Sequence, residues 1–343
     1  MNSQDSPLVT VVIPIYNHER YVSESIQSIV NQTYRNIEMI VINDGSKDDS
    51  HGRVLSLAKT CKQRFVRFEY IYRQNIGLSA TLNQALSMAK GKYFTALASD
   101  DVALPEKIEL LVNALEASGP ACAASFGNAL FIDNKGRKVR LDSKGRIVEN
   151  QNSGTYSNFL EYYLRRRSFD YMGPEFGTYR TLIDGNYLPA MSNIVRTAAI
   201  SEVGGWTAGN LIEDWEMWLK LSKRYSFVYV DVPVASYRWH EDNTVKAGGG
   251  VPAIYSSLSI VEREKKYCKE NNMLSLWNRS HNRLTYALLR NGKFTFAERW
   301  SILRKTDKAQ LLIFTMCLVA RNAMRKIYDR ANSATKRDGF VRA

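Results

Sequence analysis

The stretch from Thr10 to Ser50, TVVIPIYNHERYVSESIQSIVNQTYRNIEMIVINDGSKDDS, decides the fold. It opens inside a β-branched run from Val9 to Ile15, the pattern of a strand buried on both faces. Val22, Ile26, Ile29 and Val30 then recur at three- and four-residue spacing, which predicts a helix. A second apolar run, Ile37 to Ile42, predicts another strand and stops at Asn43-Asp44-Gly45-Ser46, strong turn chemistry.

The alternation continues outward from there. Helical spacing covers about Ser50 to Cys61 and Leu78 to Ala89, with strands at Val66 to Tyr72 and Tyr93 to Ala98. After Pro105 a helix runs to about Ala117, and a strand-like AASFGNALFID ends at Asp133. This order predicts an α/β fold, Rossmann-like, with a mainly parallel sheet flanked by helices. Right-handed crossovers then bring the C-terminal ends of the strands to one edge, where ligands usually sit.

Residues 134–187 are less regular: a polar, hairpin-like NKGRKVRLDSKGR precedes an aromatic segment with Tyr156, Phe159, Tyr162, Tyr163, Phe169 and Tyr171. They read as an insertion over the sheet edge. A helix at Thr197 to Val203, an acidic helix at Ile212 to Lys223 and a strand at Phe227 to Val232 follow. Gly248-Gly249-Gly250 marks a boundary between a domain of residues 1–250 and a helical, basic C-terminal region, 251–343.

With 45% hydrophobic and 24% charged residues, 8 Pro and 20 Gly, the chain of 343 residues is neither disordered nor collagen-like. Cys61, Cys122, Cys268 and Cys317 are scattered, which argues against a disulfide framework or a thiolate zinc site. The net charge is +13, and +8 of it falls between Arg299 and Ala343, where eleven basic residues meet three acidic ones. The longest apolar run, Leu311 to Ala320, falls short of the ~18–20 residues of a spanning helix. The N-terminus carries no export pattern, so a cytoplasmic protein is expected. The Lys/Arg rim of Leu311 to Ala320 suits peripheral contact with the anionic inner face of a cell membrane.

Polar residues gather where strands should end: Pro14-Ile15-Tyr16-Asn17, Asn43-Asp44-Gly45-Ser46 and Ser99-Asp100-Asp101. Each alone reads as a helix cap. Together, on one predicted edge, they read as a site. Adjacent carboxylates repel unless a cation neutralises them, and Mg²⁺ or Mn²⁺ would bridge such a pair to a diphosphate. There is neither a GxGxxG after the first strand nor a GxxxxGK[ST] anywhere, so dinucleotide and P-loop binding are unsupported.

These blocks resemble the inverting glycosyltransferases of family 2, nucleotide-sugar enzymes of the GT-A fold. The resemblance runs through Arg73-Gln-Asn75-Ile-Gly77-Leu, Asn83, Ala89-Lys-Gly91 and Ser99-Asp100-Asp101, and covers about residues 8–245 outside the insertion. It resumes at Pro189 to Arg196, Val203-Gly204-Gly205-Trp206, Glu213-Asp214-Trp215-Glu216-Met-Trp218 and Tyr237-Arg238-Trp-His240. It implies that Pro14, Tyr16 and Asn17 line a nucleobase pocket and that Asp44 accepts a hydrogen bond from uracil or thymine. Asn75, Gly77 and Asn83 fall on the donor side by the same resemblance. Asp100 would reach the ribose or sugar, and Asp101 and His240 the Mn²⁺ or Mg²⁺ ion. Asp214 stands at the general base, with Glu213, Trp215 and Trp206 towards the acceptor, as is the insertion.

The implied reaction is transfer from a nucleotide-diphosphate sugar, with UDP-sugar ahead of dTDP-sugar, to a glycan or polyprenyl-linked acceptor in cell-surface polysaccharide assembly. An inverting displacement needs one base opposite the leaving group and a cation beside the diphosphate, which matches the two acidic segments. Two other classes are weighed. A nucleic-acid-binding protein would use the basic tail, but no reading module accompanies it and no nucleic acid is expected. A non-catalytic scaffold would have no need of Asp44, Asp100, Asp101 and Asp214. His18, His51 and His281 read as structural histidines.

Overall fold

The βαβ unit between Thr10 and Ser50 forms in the computed structural model, which describes residues 6–148, 154–165, 170–241, 243, 250–291 and 295. Strand β1 (Val9–Ile15) pairs in parallel with β2 (Ile37–Asn43), and α1 (Val22–Val30) crosses between them. Val22, Ile26 and Ile29 of α1 are fully buried, each contributing roughly 1.5–3 kcal/mol of transfer free energy. Every residue of β2 is buried, even Glu38. That carboxylate accepts from Thr10 Oγ1 at 2.5 Å, Arg67 Nη1 at 2.9 Å and the backbone N–H groups of Lys90 and Gly91. A buried charge is tolerated because its lone pairs are filled.

Next come α2 (Ser50–Arg64), β3 (Arg67–Tyr72), α3 (Leu78–Met88), β4 (Tyr93–Ala96), the two-residue β5 (Val102–Ala103), α4 (Lys107–Ala117) and β6 (Cys122–Ile132). The insertion holds a hairpin of β7 (Arg140–Leu141) and β8 (Ile147–Val148), then α5 (Phe159–Leu164) and α6 (Tyr179–Leu182). Then follow β9 (Asn193–Arg196), α7 (Thr197–Glu202), α8 (Glu213–Ser222) and β10 (Ser226–Arg238).

The eight-stranded sheet has the order β3-β2-β1-β4-β9-β6-β10-β5. Pairing is parallel for β1 with β2 and β4, for β2 with β3, and for β6 with β10. Strand β9 lies antiparallel between β4 and β6, and β5 antiparallel to β10. Because β4 and β6 both oppose β9, six strands run the same way and their C-terminal ends share one edge. The sheet is therefore mixed. β9 and β5 escape sequence periodicity because strands of four and two residues carry too few alternations to read. Strand β10 is longer than expected, running through Pro233 by way of register shifts against β6.

The chain divides into two compact units, residues 1–248 and 249–343. Within the second, α9 (Val251–Arg263), α10 (Lys265–Glu270) and α11 (Leu274–Asn291) are helical, and the indole of Trp277 donates to Val261 O at 2.6 Å. The basic stretch from Arg299 onward, including Leu311 to Ala320, lies outside the described residues, as does Phe169. Among the described residues no helix is long and apolar enough to cross a membrane.

Candidate active site

Strand register builds the first wall of the site. Ile15 aligns with Asn43, and Asn43 with Tyr72, so Tyr16, Asp44 and Arg73 emerge side by side one residue beyond the sheet. An open cleft of about 900 Å³ lies there, lined by Tyr16, Gly45, Ser46, Tyr72, Arg73 and Asn75 among others. Tyr16 and Tyr72 leave about half of their surface exposed at its mouth, 48% and 53%. Exposed rings at a cleft are the ordinary furniture of a ligand pocket. Pro14, just before them on β1, is half-buried.

Asp44 is buried and heavily engaged. It takes Arg73 Nη1 and Ile76 N on one oxygen, and Gly77 N at 2.9 Å on the other. Arg73 is held in turn by Gln84 and Thr81 on α3. The carboxylate thus ties together the ends of β2 and β3 and the start of α3, and keeps lone-pair capacity for one further donor. Asn75 accepts from the same Gly77 N–H at 3.1 Å, and Gly77, with φ near +88°, begins α3. Gly45 also has a positive φ, +77°, and a Cβ there would lie 2.8 Å from the backbone nitrogen of Asn75. Gly45→Ala is therefore expected to cost about 1–3 kcal/mol through strain alone, read as a lowered melting temperature, and to narrow the cleft.

The loops after β1 and β2 are stitched together. Asn17, itself at φ +56°, accepts from Lys47 N at 2.8 Å and donates its own N–H to Ser46 Oγ at 2.9 Å. His18 N–H donates to Ser50 Oγ, and Glu19 N–H to Asp48. Asn17 acts as a brace for the pocket wall. Its side-chain oxygen is turned to backbone.

The second acidic centre forms where β4 and β10 end. Asp100 Oδ2 lies 3.1 Å from His240 Nε2 and 3.9 Å from His18 Nε2. His18 Nδ1 contacts Ser99 Oγ at 2.7 Å, which places the His18 ring beside Asp100. Burial pushes the Asp100 carboxyl up, but the His240 hydrogen bond and the two imidazoles outweigh it and hold it below the ordinary carboxylate range. Asp101 faces the other way. It is 2% exposed and its Oδ1 accepts Arg238 N–H at 2.9 Å. Burial, and then the charge of Asp100, push it well above the ordinary range. The buried Lys107 lies in its field, and its ammonium is pushed down to about 7 by burial.

The two carboxylates are held differently. The imidazoles stand on Asp100, whereas Asp101 clasps the end of β10. Arg238 completes the clasp: its Nε donates to Asp100 O at 2.7 Å, Nη1 to Asp133 O and Nη2 to Glu24. Among the described residues no cluster of three or more His, Cys, Asp and Glu closes a metal cage. Asp100 and His240 offer instead an open pair. Magnesium-type ions bind in that manner, through one or two protein groups, with phosphates and waters completing an octahedron of ~2.1 Å bonds. A carboxylate oxygen and an imidazole nitrogen are donors such an ion accepts, and Asp100 Oδ2 and His240 Nε2, which share a 3.1 Å hydrogen bond, would be the pair to hold it. The residues fit the ion.

The third group lies at the start of α8. Asp214 Oδ1 accepts Trp215 N–H at 2.7 Å and Oδ2 accepts Asn186 Nδ2 at 2.7 Å. Burial pushes Asp214 above the ordinary carboxylate range against those two donors. Glu213 is pushed up to about 8, by burial first and then by the Asp214 charge. Tyr237 connects the acids. Burial, then Tyr163, Asp101, Asp100 and Asp214, push its hydroxyl well above the ordinary range, so both acidic centres lie within its electrostatic reach.

Trp215 is 2% exposed and its indole N–H donates to Leu182 O at 2.7 Å. The Asn83 amide is engaged by the backbone of Trp206: Nδ2 donates to Trp206 O at 2.7 Å and Oδ1 accepts Trp206 N–H at 2.9 Å. Trp206 itself is half-buried against Phe94. Asn186 and Arg238 carried no assigned role in the sequence, since nothing in a linear motif reports which distant side chain an aspartate will meet.

The model of the family described as glycosyl transferase family 2 matches residues 10–181, half of the chain. The chain belongs to that family. An uncharacterized glycosyltransferase of Rickettsia prowazekii is 46% identical over 135 residues, which are 39% of this chain and 40% of that protein. The chain spans only 20% to 40% of the length of the first curated relatives it matches. Among solved structures, S. aureus TarS 1–349 in complex with UDP-GlcNAc superposes with a TM-score of 0.58 at 14% identity, covering 87% of this chain and 79% of that one. The mannosyltransferase PcManGT of Pyrobaculum calidifontis, in complex with GDP-Man and Mn²⁺, gives 0.57 at 14% identity over 97% and 84%. At these identities the likeness is one of fold, and the fold is GT-A.

Proposed function

We propose that this family 2 protein is an inverting, metal-dependent glycosyltransferase that moves a sugar from a UDP-sugar to a glycan or polyprenyl-linked glycan in cell-surface polysaccharide assembly. The observation that carries the proposal is the sorting of acids into two centres of opposite character: Asp100, held low beside His240, and Asp214, held high at the start of α8. A cation site needs an ionised carboxylate, and a base needs a proton affinity lifted towards the working pH.

In this reading the uracil enters between Tyr16 and Tyr72, with Asp44 taking its ring N–H. Asp100 and His240 would hold Mn²⁺ or Mg²⁺, with His18 supporting Asp100. When bound, such an ion neutralises the diphosphate and stabilises charge on the departing nucleotide. Asp214 takes the proton of the acceptor hydroxyl as its oxygen bonds to the anomeric carbon. The bond from that carbon to the diphosphate oxygen breaks, and its electron pair leaves with UDP. The UDP-GlcNAc seen with TarS supports a uridine donor, and GDP-Man with PcManGT marks the rival to test.

The test is product stereochemistry. Proton NMR of the sugar freed from α-linked UDP-glucose, UDP-galactose and UDP-N-acetylglucosamine, with Mn²⁺, should show the β-anomer first. An α-anomer at the earliest times would overturn the inverting mechanism, and no turnover of any of the three would remove these donors.

A further inference from the structure

We propose that Asn186, at the far end of the insertion, is the positioning residue for Asp214, fixing the carboxylate for proton transfer from the acceptor. The proposal deepens the transferase reading and rests on Asp214 as the base.

The geometry is over-determined. Asn186 Nδ2 donates to Asp214 Oδ2 at 2.7 Å, and Asn186 Oδ1 accepts Leu188 N–H at 3.1 Å. The second bond settles which end of the amide faces the acid. The segment carrying Asn186 is tied to α8 again one residue along, where the Trp215 indole donates to Leu182 O at 2.7 Å. Neighbouring Tyr187 is buried, with its hydroxyl accepting Gly177 N–H at 2.7 Å. Asp214 Oδ1 is meanwhile held by the backbone N–H of Trp215. Each carboxylate oxygen therefore carries one fixed donor, and the plane of the group is set. Without Asn186 the carboxylate keeps only the bond to the residue beside it and turns freely about its side-chain torsion.

The amide also favours the ionised form. Among the described residues the Asp214 charge raises Glu213 beside it, Tyr163 on α5 and Tyr237 on β10, all of them acids, and Arg165 acts on Tyr163. Asn186 opposes that acidic surround without adding charge. A hydrogen bond to the ionised state lowers a carboxyl's proton affinity, so its loss raises it.

The experiment follows the Asp214 carboxyl directly in the full chain labelled with ¹³C-carboxyl aspartate, assigned by difference against Asp214→Asn. In Asn186→Ala the signal should titrate with about tenfold tighter proton binding, one pH unit. Asn186→Asp keeps the volume and the acceptor for Leu188 while removing the donor, so it should tighten the proton further. In each variant the acid limb of kcat should move upward to that variant's own Asp214 midpoint, at unchanged affinity for UDP by calorimetry. An Asp214 titration identical to wild type in both variants overturns the proposal, as does a uniform fall in kcat at every pH without movement of the limb. If the wild type transfers nothing, the transferase reading fails separately, because the carboxyl titration needs no substrate.

Discussion

Asp214→Asn should lower turnover by about 10³-fold and leave the affinity for UDP where it was. The amide has nearly the shape of the acid and can still accept from Trp215 N–H, but it cannot take a proton. Nucleotide binding is untouched because Tyr16, Asp44 and Asp100 belong to other strand ends. Single-turnover rates and calorimetric UDP titration separate the two effects. The wild-type pH profile carries the same signature. A base works ionised, and burial raises Asp214 above the ordinary carboxylate range. Turnover must therefore rise with pH through a midpoint above that range and fall as the group protonates. Burial and the Asp214 charge push Glu213 up as well, so the pair resists carrying two negative charges at once.

The second large effect belongs to Asp100. Asp100→Asn should remove the gain in UDP affinity that Mn²⁺ provides, at least the ~10–100-fold that even changes behind a metal ligand cost. The neighbouring acid behaves differently. Asp101 is buried and accepts Arg238 N–H, so Asp101→Ala leaves a buried donor unsatisfied and costs ~1–3 kcal/mol of stability. A variant that folds as well as wild type but ignores Mn²⁺, beside one that melts earlier, distinguishes ligand from clasp. If Asp101→Ala keeps its stability and loses the metal response instead, the division of roles proposed between them is wrong.

What was legible in the sequence was local and periodic. The buried strands Val9–Ile15 and Ile37–Asn43 are continuous apolar runs, the stripe of α1 recurs at three- and four-residue spacing, and the turns are written in Asn, Asp and Gly. Strand ends follow from the alternation, so the gathering of Tyr16, Asp44 and Asp100 on one edge could be anticipated. The short β9 and β5 could not, because two to four residues define no period. Nor could the partners of each acid. Asp101 instead of Asp100 meets the backbone of Arg238, 137 residues beyond it, and no local pattern announces so distant a partner. Trp215 lies one residue from Asp214 yet faces the core, because successive helical residues diverge by about 100°. Asn186 lies in an irregular insertion with no pattern to announce it.

The most direct test of the central claim, that Asp100 and His240 form a metal-assisted diphosphate site beside a uracil pocket, is calorimetric titration of the full chain with UDP and GDP. Each nucleotide is titrated with Mn²⁺ and with EDTA, in wild type and in Asp100→Asn. The account predicts UDP binding that requires Mn²⁺, exceeds that of GDP and vanishes in the variant. UDP binding equally well in EDTA, or surviving unchanged in Asp100→Asn, would contradict it.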